Sequence, residues 1–138
     1  MGVIEIGASG LTAQRKRLEV HVGNLVNANT TQPAGTEPFR RQEVLFAAAH
    51  SEASFGNILD IESRRVEIAG VVADQRDPVK RYEPHHPHAD KDGYVAYPNI
   101  NAMEEMMNVM SATRSYEANL QVVSMAKEMQ QRTLEILR

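Results

Sequence analysis

The residues with the greatest potential for chemistry lie in one short segment that contains three histidines. It reads Glu83-Pro84-His85-His86-Pro87-His88-Ala89-Asp90-Lys91-Asp92-Gly93. Imidazole nitrogens and carboxylate oxygens bind zinc and other transition metals. However, the two prolines restrict the backbone, and the spacing matches neither a helical His-Glu-x-x-His pattern nor a closed Cys/His set. A small metal-binding protein built on His85, His86 and His88 stays an alternative. The favoured interpretation is a hydrogen-bonded turn, with no metal and no cofactor.

The candidate catalytic residues also fail to match the patterns of known catalytic sites. Ser9, in the sequence Ala-Ser-Gly, lacks the Gly-x-Ser-x-Gly frame of serine hydrolases. Glu104 and Glu105 are adjacent, so on a helix they point in different directions and more simply favour its N-terminus. We therefore predict no catalytic residues and no enzymatic activity.

The overall composition narrows the classes of partner. The 138 residues carry a formal net charge of −3 and include no cysteine. A weakly acidic chain offers no electrostatic footprint for nucleic acid, and no run approaches the roughly 18 apolar residues of a membrane span. The first residues lack the basic and apolar regions of a cleaved signal peptide. We expect protein partners, no nucleic acid and no direct membrane span.

The N-terminal segment predicts a helix with one narrow apolar stripe. The stripe repeats every seven residues, at Ile4, Leu11, Leu18 and Leu25. Such spacing places the side chains along one side of a helix, while Arg15 and Glu19 can pair one turn apart on the polar side. Weak helix formers and turn residues then follow, so the helix should end near Asn29.

Between residues 36 and 99 the pattern changes to that of short strands. Apolar residues alternate within 66–73 and form short runs at 44–46 and 94–97. We therefore predict an α+β fold. A small antiparallel β-rich insert at 36–99 separates long terminal helices, and these helices, within 1–35 and 100–138, form a coiled coil for assembly.

Two basic pairs, Arg40-Arg41 and Arg64-Arg65, flank the predicted strands. They can contact acidic neighbours. They can equally place charge at a strand edge, where it prevents unwanted strand pairing. The sequence leaves both roles open.

The C-terminal segment predicts the longest helix, because it contains neither Pro nor Gly from Asn101 onward. Asn101 with Glu104 three residues later forms a capped start, and Glu128 can pair with Arg132. A helix of about 37 residues extends about 55 Å. The small insert cannot cover that length, so much of the apolar side must meet other helices. We expect self-association or assembly with other proteins, as rings or as open helical filaments.

Methionine is concentrated in this helix, at Met103, Met106, Met107, Met110, Met125 and Met129. Methionine side chains adapt to neighbours of different shape. The stripe is therefore either a surface for several non-identical partners or an ordinary helical core. We favour the ordinary core, although periodicity does not settle the choice.

Several motifs resemble a known family. Residues 8–15, Ala-Ser-Gly-Leu-Thr-Ala-Gln-Arg, and 24–31, Asn-Leu-Val-Asn-Ala-Asn-Thr-Thr, resemble the N-terminal signature of flagellar rod, hook and related axial proteins. Tyr-Glu-Pro-His-His-Pro at 82–87, with 89–90, 93–101 and 104–106, resembles more specifically one type of proximal-rod subunit. Residues 111–119 extend the match, and only the region around 50–61 matches nothing in the family.

The resemblance implies a structural subunit of the bacterial flagellar basal body. In the proximal rod it would transmit torque from the motor to the hook and filament. Its implied partners are copies of itself, rod proteins of the FlgB, FlgF, FlgG and FliE types, and the flagellar type III export apparatus. The resemblance also implies export from the cytoplasm without a cleaved signal peptide and assembly in the periplasmic space. Alternatives are another rod subunit, FlgB-like, and a cytoplasmic coiled-coil adaptor.

The resemblance and the apolar stripes together predict the residues of the assembly interface. The resemblance supplies Asn24, Leu25, Asn27, Ser115, Tyr116 and Asn119. The stripes add Leu11, Leu18, Met106, Met110, Leu120 and Val123. Val26 departs from the motif, which has a small Ala there, and its larger side chain is expected to loosen or shift close helix packing. The segment before Ala8 is also shorter than the resemblance leads us to expect.

Overall fold

The computed structural model of the chain describes residues 3–49 and 65–136. Its elements in chain order are α1 (Val3–Asn27), β1 (Gln42–Ala48), β2 (Val66–Ala73), β3 (Val79–Tyr82), β4 (Tyr94–Tyr97) and α2 (Ala102–Ile136). Antiparallel strands lie between two long helices in the sequence, so the predicted α+β fold class is confirmed. The domain limits stay a prediction. The region 50–61 and Arg64 lie outside the described residues.

The two helices pack against each other in opposite directions. Near its start, α1 approaches α2 where Gly7 lies beside Val123. Near its end, His21 and Asn24 meet Glu105 in the first turn of α2. Each helix therefore covers part of the apolar stripe of the other.

Local chemistry sets the helix boundaries. Asn101 Oδ1 accepts a hydrogen bond of 3.1 Å from the N–H of Met103, so Asn101 is the predicted N-cap of α2. α1 ends at Asn27, two residues before the predicted end at Asn29. The two ion pairs predicted on the polar sides are present: Arg15 with Glu19, and Arg132 with Glu128.

β1 and β2 form an antiparallel ribbon that packs on α1. The pairing runs from Gln42 opposite Ala73 to Ala48 opposite Val66. Ser9 Oγ on α1 accepts a hydrogen bond of 3.2 Å from the N–H of Val66 and so holds one end of the ribbon. Both strands are confirmed, as expected for alternating β-branched residues on a half-covered surface.

β3 and β4 form a second antiparallel pair, from Val79 opposite Tyr97 to Tyr82 opposite Tyr94. The prediction of β4 is confirmed. β3 was not predicted from the sequence. Its sequence, Val-Lys-Arg-Tyr, is exposed throughout and offers no apolar alternation. Pairing with β4 and the edge-on contact of the Tyr82 and Tyr94 rings, 5.4 Å between centroids, stabilise it instead.

The described residues enclose only a small apolar core. Its members are Ala13, Val20, Ala28, Val44, Val95 and Ala112. Many larger apolar side chains of α2 and of the ribbon are exposed. Fully burying one such side chain contributes about 1.5–3 kcal/mol, so contacts with other molecules have much stabilisation to add. Within the described ranges, no helix is long and apolar enough to cross a membrane.

Candidate assembly surface

Two glycines of α1 lie close to side chains of α2. A Cβ placed on Gly7 would lie 2.5 Å from Cγ2 of Val123, and one placed on Gly10 would lie 2.9 Å from Nδ2 of Asn119. The branched Val123 side chain leaves no room for a Cβ on Gly7, whereas the Asn119 amide is the end of a flexible side chain and could move away from a Cβ on Gly10. Ala13, buried on the same helix, continues this row of small residues.

A buried polar cluster joins the other end of α1 to α2. Glu105, on α2, is 1% exposed. Its Oε1 accepts a 2.7 Å hydrogen bond from Nε of Arg41. Its Oε2 lies 2.7 Å from Nδ1 of His21 and accepts a 3.0 Å hydrogen bond from Nδ2 of Asn24. We call these four residues the Glu105 cluster, and they satisfy both oxygens of a carboxylate that is removed from water.

Asn24 also connects the cluster to the β ribbon. Its Nδ2 donates a 2.8 Å hydrogen bond to the carbonyl of Gln42, and its Oδ1 accepts one of 2.9 Å from the N–H of Gln42. The amide side chain thereby pairs with the first residue of β1 as a neighbouring strand would. Arg41, one residue earlier, reaches Glu105. The start of β1 is thus fixed to both helices.

Glu105 is ionised within this cluster. Burial alone would raise the pKa of its carboxyl, but hydrogen bonds from Asn24, His21 and Arg41 outweigh burial and hold the pKa below its usual value. Because a carboxylate only accepts hydrogen bonds, Nδ1 of His21 carries the proton. The cluster is therefore a buried ion pair of Glu105 with Arg41, supported by two polar side chains.

The predicted interface residues fall into two groups. Most are buried or half-buried within the single chain: Leu11, Leu18, Asn24, Leu25, Asn27, Ser115, Tyr116, Asn119 and Val123. Met106, Met110 and Leu120 are exposed by 48% to 51%. The structure thus brings Asn24, Asn119 and Val123 into the contact between α1 and α2 and leaves the exposed group available to other molecules. The role of both groups in assembly stays a prediction.

The methionines of α2 are exposed. Their exposed fractions range from 48% to 69%, so the interpretation of the stripe as an ordinary core is wrong within the single chain. Four of them recur every three or four residues, on the side of α2 away from Glu105 and the buried Ala112. We call these four the methionine face: Met103, Met106, Met107 and Met110.

A second apolar surface lies near the C-terminal end of α2. It is a groove of about 670 Å³ lined mainly by Val3, Val122, Met125, Ala126, Met129 and Leu134. Val3 belongs to the start of α1, so both helices contribute to the groove. Together, the groove and the methionine face extend the exposed apolar surface along much of α2.

The histidine segment forms the predicted hydrogen-bonded turn. Nδ1 of His86 accepts a 3.1 Å hydrogen bond from the N–H of His88, whose own Nδ1 lies 2.8 Å from Oγ1 of Thr31. Asp90 Oδ1 accepts a 2.8 Å hydrogen bond from the N–H of Tyr94 and closes the turn. No three His, Cys, Asp or Glu side chains of residues 3–49 and 65–136 are grouped to hold a metal ion. The His88 imidazole thereby connects the loop after α1 to the turn between β3 and β4.

Ser9 also has a structural place. Its hydroxyl donates a 2.7 Å hydrogen bond to the carbonyl of Ile6 and accepts one from the N–H of Val66. The bond from Val66 connects α1 to β2, whereas the bond to Ile6 lies within α1. The serine is thus engaged with backbone groups rather than with a general base.

Comparisons with known proteins identify the family of this chain. A family model described as the C-terminal part of flagellar basal body rod FlgEFG proteins matches residues 91–136, which include β4 and α2. The flagellar basal-body rod protein FlgC of Salmonella typhimurium strain LT2 is 38% identical over 99% of this chain and 96% of its own length. The chain belongs to the FlgC family. FlgC of Borreliella burgdorferi is 35% identical over 97% of this chain, and FlgC of Bacillus subtilis strain 168 is 34% identical over 96%, each across 95% of its own length.

Membership of the FlgC family makes the chain a structural subunit of the flagellar basal-body rod. The resemblance to rod and hook proteins is confirmed. FlgC is also the type of subunit that residues 82–106 and 111–119 resemble.

The most buried polar site of this FlgC-family chain is the one that sequence reasoning missed. From the sequence, Glu105 is expected only to favour the start of a helix through its charge. Arg41 is expected either to contact an acidic neighbour or to prevent unwanted strand pairing. In the structure, Arg41 has the first of these roles, because it contacts the acidic side chain of Glu105. His21 carries no distinguishing pattern. An arginine just before a strand was the one available sign of a strand-to-helix contact.

Proposed function

We propose that the chain is a subunit of the proximal rod whose two helices pack against helices of neighbouring subunits and transmit torque to the hook and filament. The observation that carries this proposal is the exposed apolar side of α2, which includes the methionine face. Such a surface is larger than scattered surface residues explain and is typical of a protein–protein contact.

The methionine face suits neighbours that differ in sequence. Unbranched thioether side chains adjust to surfaces of different shape, and fully burying each contributes about 1.5–3 kcal/mol. We therefore propose copies of the chain itself and rod proteins of the FlgB, FlgF, FlgG and FliE types as neighbours. Packing of many subunits around a common axis shares the load of rotation among many contacts.

The proposed location is the periplasmic part of the rod, reached through the flagellar type III export apparatus without a cleaved signal peptide. The protein acts there by assembly alone and turns over no substrate. Support comes from the use of Ser9 and the histidine segment in structural hydrogen bonds.

Deletion of the gene, with the wild-type copy restored as control, tests the proposal. The deleted strain should be non-motile and lack rod and hook, and the restored copy should recover both. Normal motility with intact basal bodies would contradict the proposal. Replacing the FlgC or FlgB gene of a motile host with this one distinguishes the two rod types, since motility should return only at the FlgC position.

A further inference from the structure

A polar recess lies directly above the Glu105 cluster, on the side of α1 that carries Arg17. It has a volume of about 260 Å³, which is room for several water molecules at about 30 Å³ each. Its polar lining residues are Arg17, His21, Arg41, Glu43 and Asn108. Both helices and β1 contribute to these walls, so the recess exists only in the assembled fold.

The recess is lined by donors that have no partner among the described residues. Among the described residues, the Arg17 guanidinium has no hydrogen bond or ion pair, and neither has the Asn108 amide. Arg41 donates hydrogen bonds from Nε to Glu105 and from Nη1 to Glu43. Its Nη2 has no partner among the described residues. Donors without a partner among the described residues thus lie on α1, on α2 and on the residue before β1, around one recess.

Both acids near the recess are bonded to Arg41. Glu105 lies beneath it with both oxygens occupied, and Glu43 is bonded to Arg41 at 3.1 Å while its side chain is 63% exposed. The Arg17 charge has no partner among the described residues. An added carboxylate would supply both an acceptor for the unpaired donors and a negative charge for Arg17, because it accepts several hydrogen bonds and pairs well with a guanidinium.

We propose that this recess receives an aspartate or glutamate side chain of a neighbouring subunit when the chain assembles. The proposal rests on the proposed function, since it names a contact by which one rod subunit is fixed against the next. Apolar surfaces such as the methionine face allow sliding between alternative packings. A charged side chain held by fixed donors specifies one register.

Cross-linking at position 17 tests the contact directly. Arg17→Lys keeps the charge and provides an amine that a carbodiimide couples to a carboxylate in direct contact. Basal bodies purified from cells carrying this variant are treated and analysed by mass spectrometry, with Arg15→Lys as the matched control. Arg15 lies on the same helix, is 73% exposed and already pairs with Glu19.

The expected result is a cross-link from position 17 to an Asp or Glu of another subunit, at a yield roughly tenfold above that from position 15. A cross-link only to Glu43 of the same chain, or none at all, would overturn the proposal. Absence of the chain from the basal bodies would instead contradict the proposed function, so the two failures are distinguishable.

A second variant separates docking from folding. Asn108→Asp places a carboxylate in the recess from within the chain, where it should meet the free donors. The variant should keep the thermal stability of the wild type while incorporation into basal bodies falls roughly tenfold. Unchanged incorporation with unchanged stability would count against the recess as a docking site.

Discussion

Arg41 Nε donates a 2.7 Å hydrogen bond to Glu105 Oε1 and so joins the residue before β1 to the first turn of α2. The two side chains are 13% and 1% exposed. Of the described elements, the ribbon packs on α1 and not on α2. This pair, with Asn24, is therefore the link that fixes the insert relative to both helices.

Removing one member of the pair should be costly. Glu105→Ala leaves the Arg41 guanidinium largely buried without its main partner, so we expect the free energy of unfolding to fall by about 3–5 kcal/mol. Glu104→Ala, one residue earlier and exposed, is the matched control and should cost less than about 1 kcal/mol. Urea denaturation measures both. Equal losses in the two variants would show that the buried pair does not stabilise the fold.

The same carboxylate should make stability depend on pH. Its pKa is lower in the folded chain than the usual 4.5, so the unfolded chain binds its proton more readily. The stability that Glu105 contributes is therefore present above about pH 4.5 and is lost as the pH falls from there through the folded pKa. Urea titrations from pH 7 to pH 3 should show the gap between wild type and Glu105→Gln shrinking in acid. A constant gap would contradict the assignment.

The glycine contact between the helices predicts opposite effects at two glycines of α1. Gly23→Ala should stabilise by about 0.5–1 kcal/mol, because nothing lies near its Cβ position and Ala favours helix. Gly7→Ala should instead destabilise by about 1–2 kcal/mol, since the new Cβ meets Val123. Val123→Ala in the same chain should restore most of that loss. Thermal unfolding of the wild type, the two single variants and the double variant measures these effects. An increase in stability in the Gly7→Ala single variant would contradict the prediction.

Charge on the methionine face should separate assembly from folding. Met106→Glu with Met110→Glu changes two exposed side chains, so the melting temperature should stay within a few degrees of the wild type. Incorporation into basal bodies and motility should be lost, because the apolar contact would bury unpaired charge. The control is Gln75→Glu with His85→Glu, at two exposed positions away from α2. Motility of the methionine variant equal to that of this control would exclude the face from assembly.

The sequence is sufficient for the elements whose local pattern is strong. The apolar stripe that repeats every seven residues predicts α1. The Asn101 cap predicts the start of α2, and the β-branched alternation at 66–73 predicts β2. β3 is not predicted from the sequence, because this strand depends on pairing with β4 rather than on the pattern of its own four residues. A local pattern also carries no information on which partner a paired strand will find.

The site is less accessible from sequence than the fold. Glu105 and Arg41 are 64 positions apart, and no periodicity connects an arginine before a strand with a glutamate in a helix start. The methionine stripe has the same spacing whether it is a core or a surface. Only the placement of α1 on the opposite side of α2 decides that question.

We propose that this rod subunit is held in the basal body by its helices. Quantitative mass spectrometry of purified, detergent-washed basal bodies, with the deleted strain as control, tests this proposal. We expect the chain to be enriched with the other rod proteins, and we expect Met106→Glu with Met110→Glu to remove it. A chain absent from the basal bodies and present in the soluble cytoplasm would contradict the claim and favour a cytoplasmic adaptor.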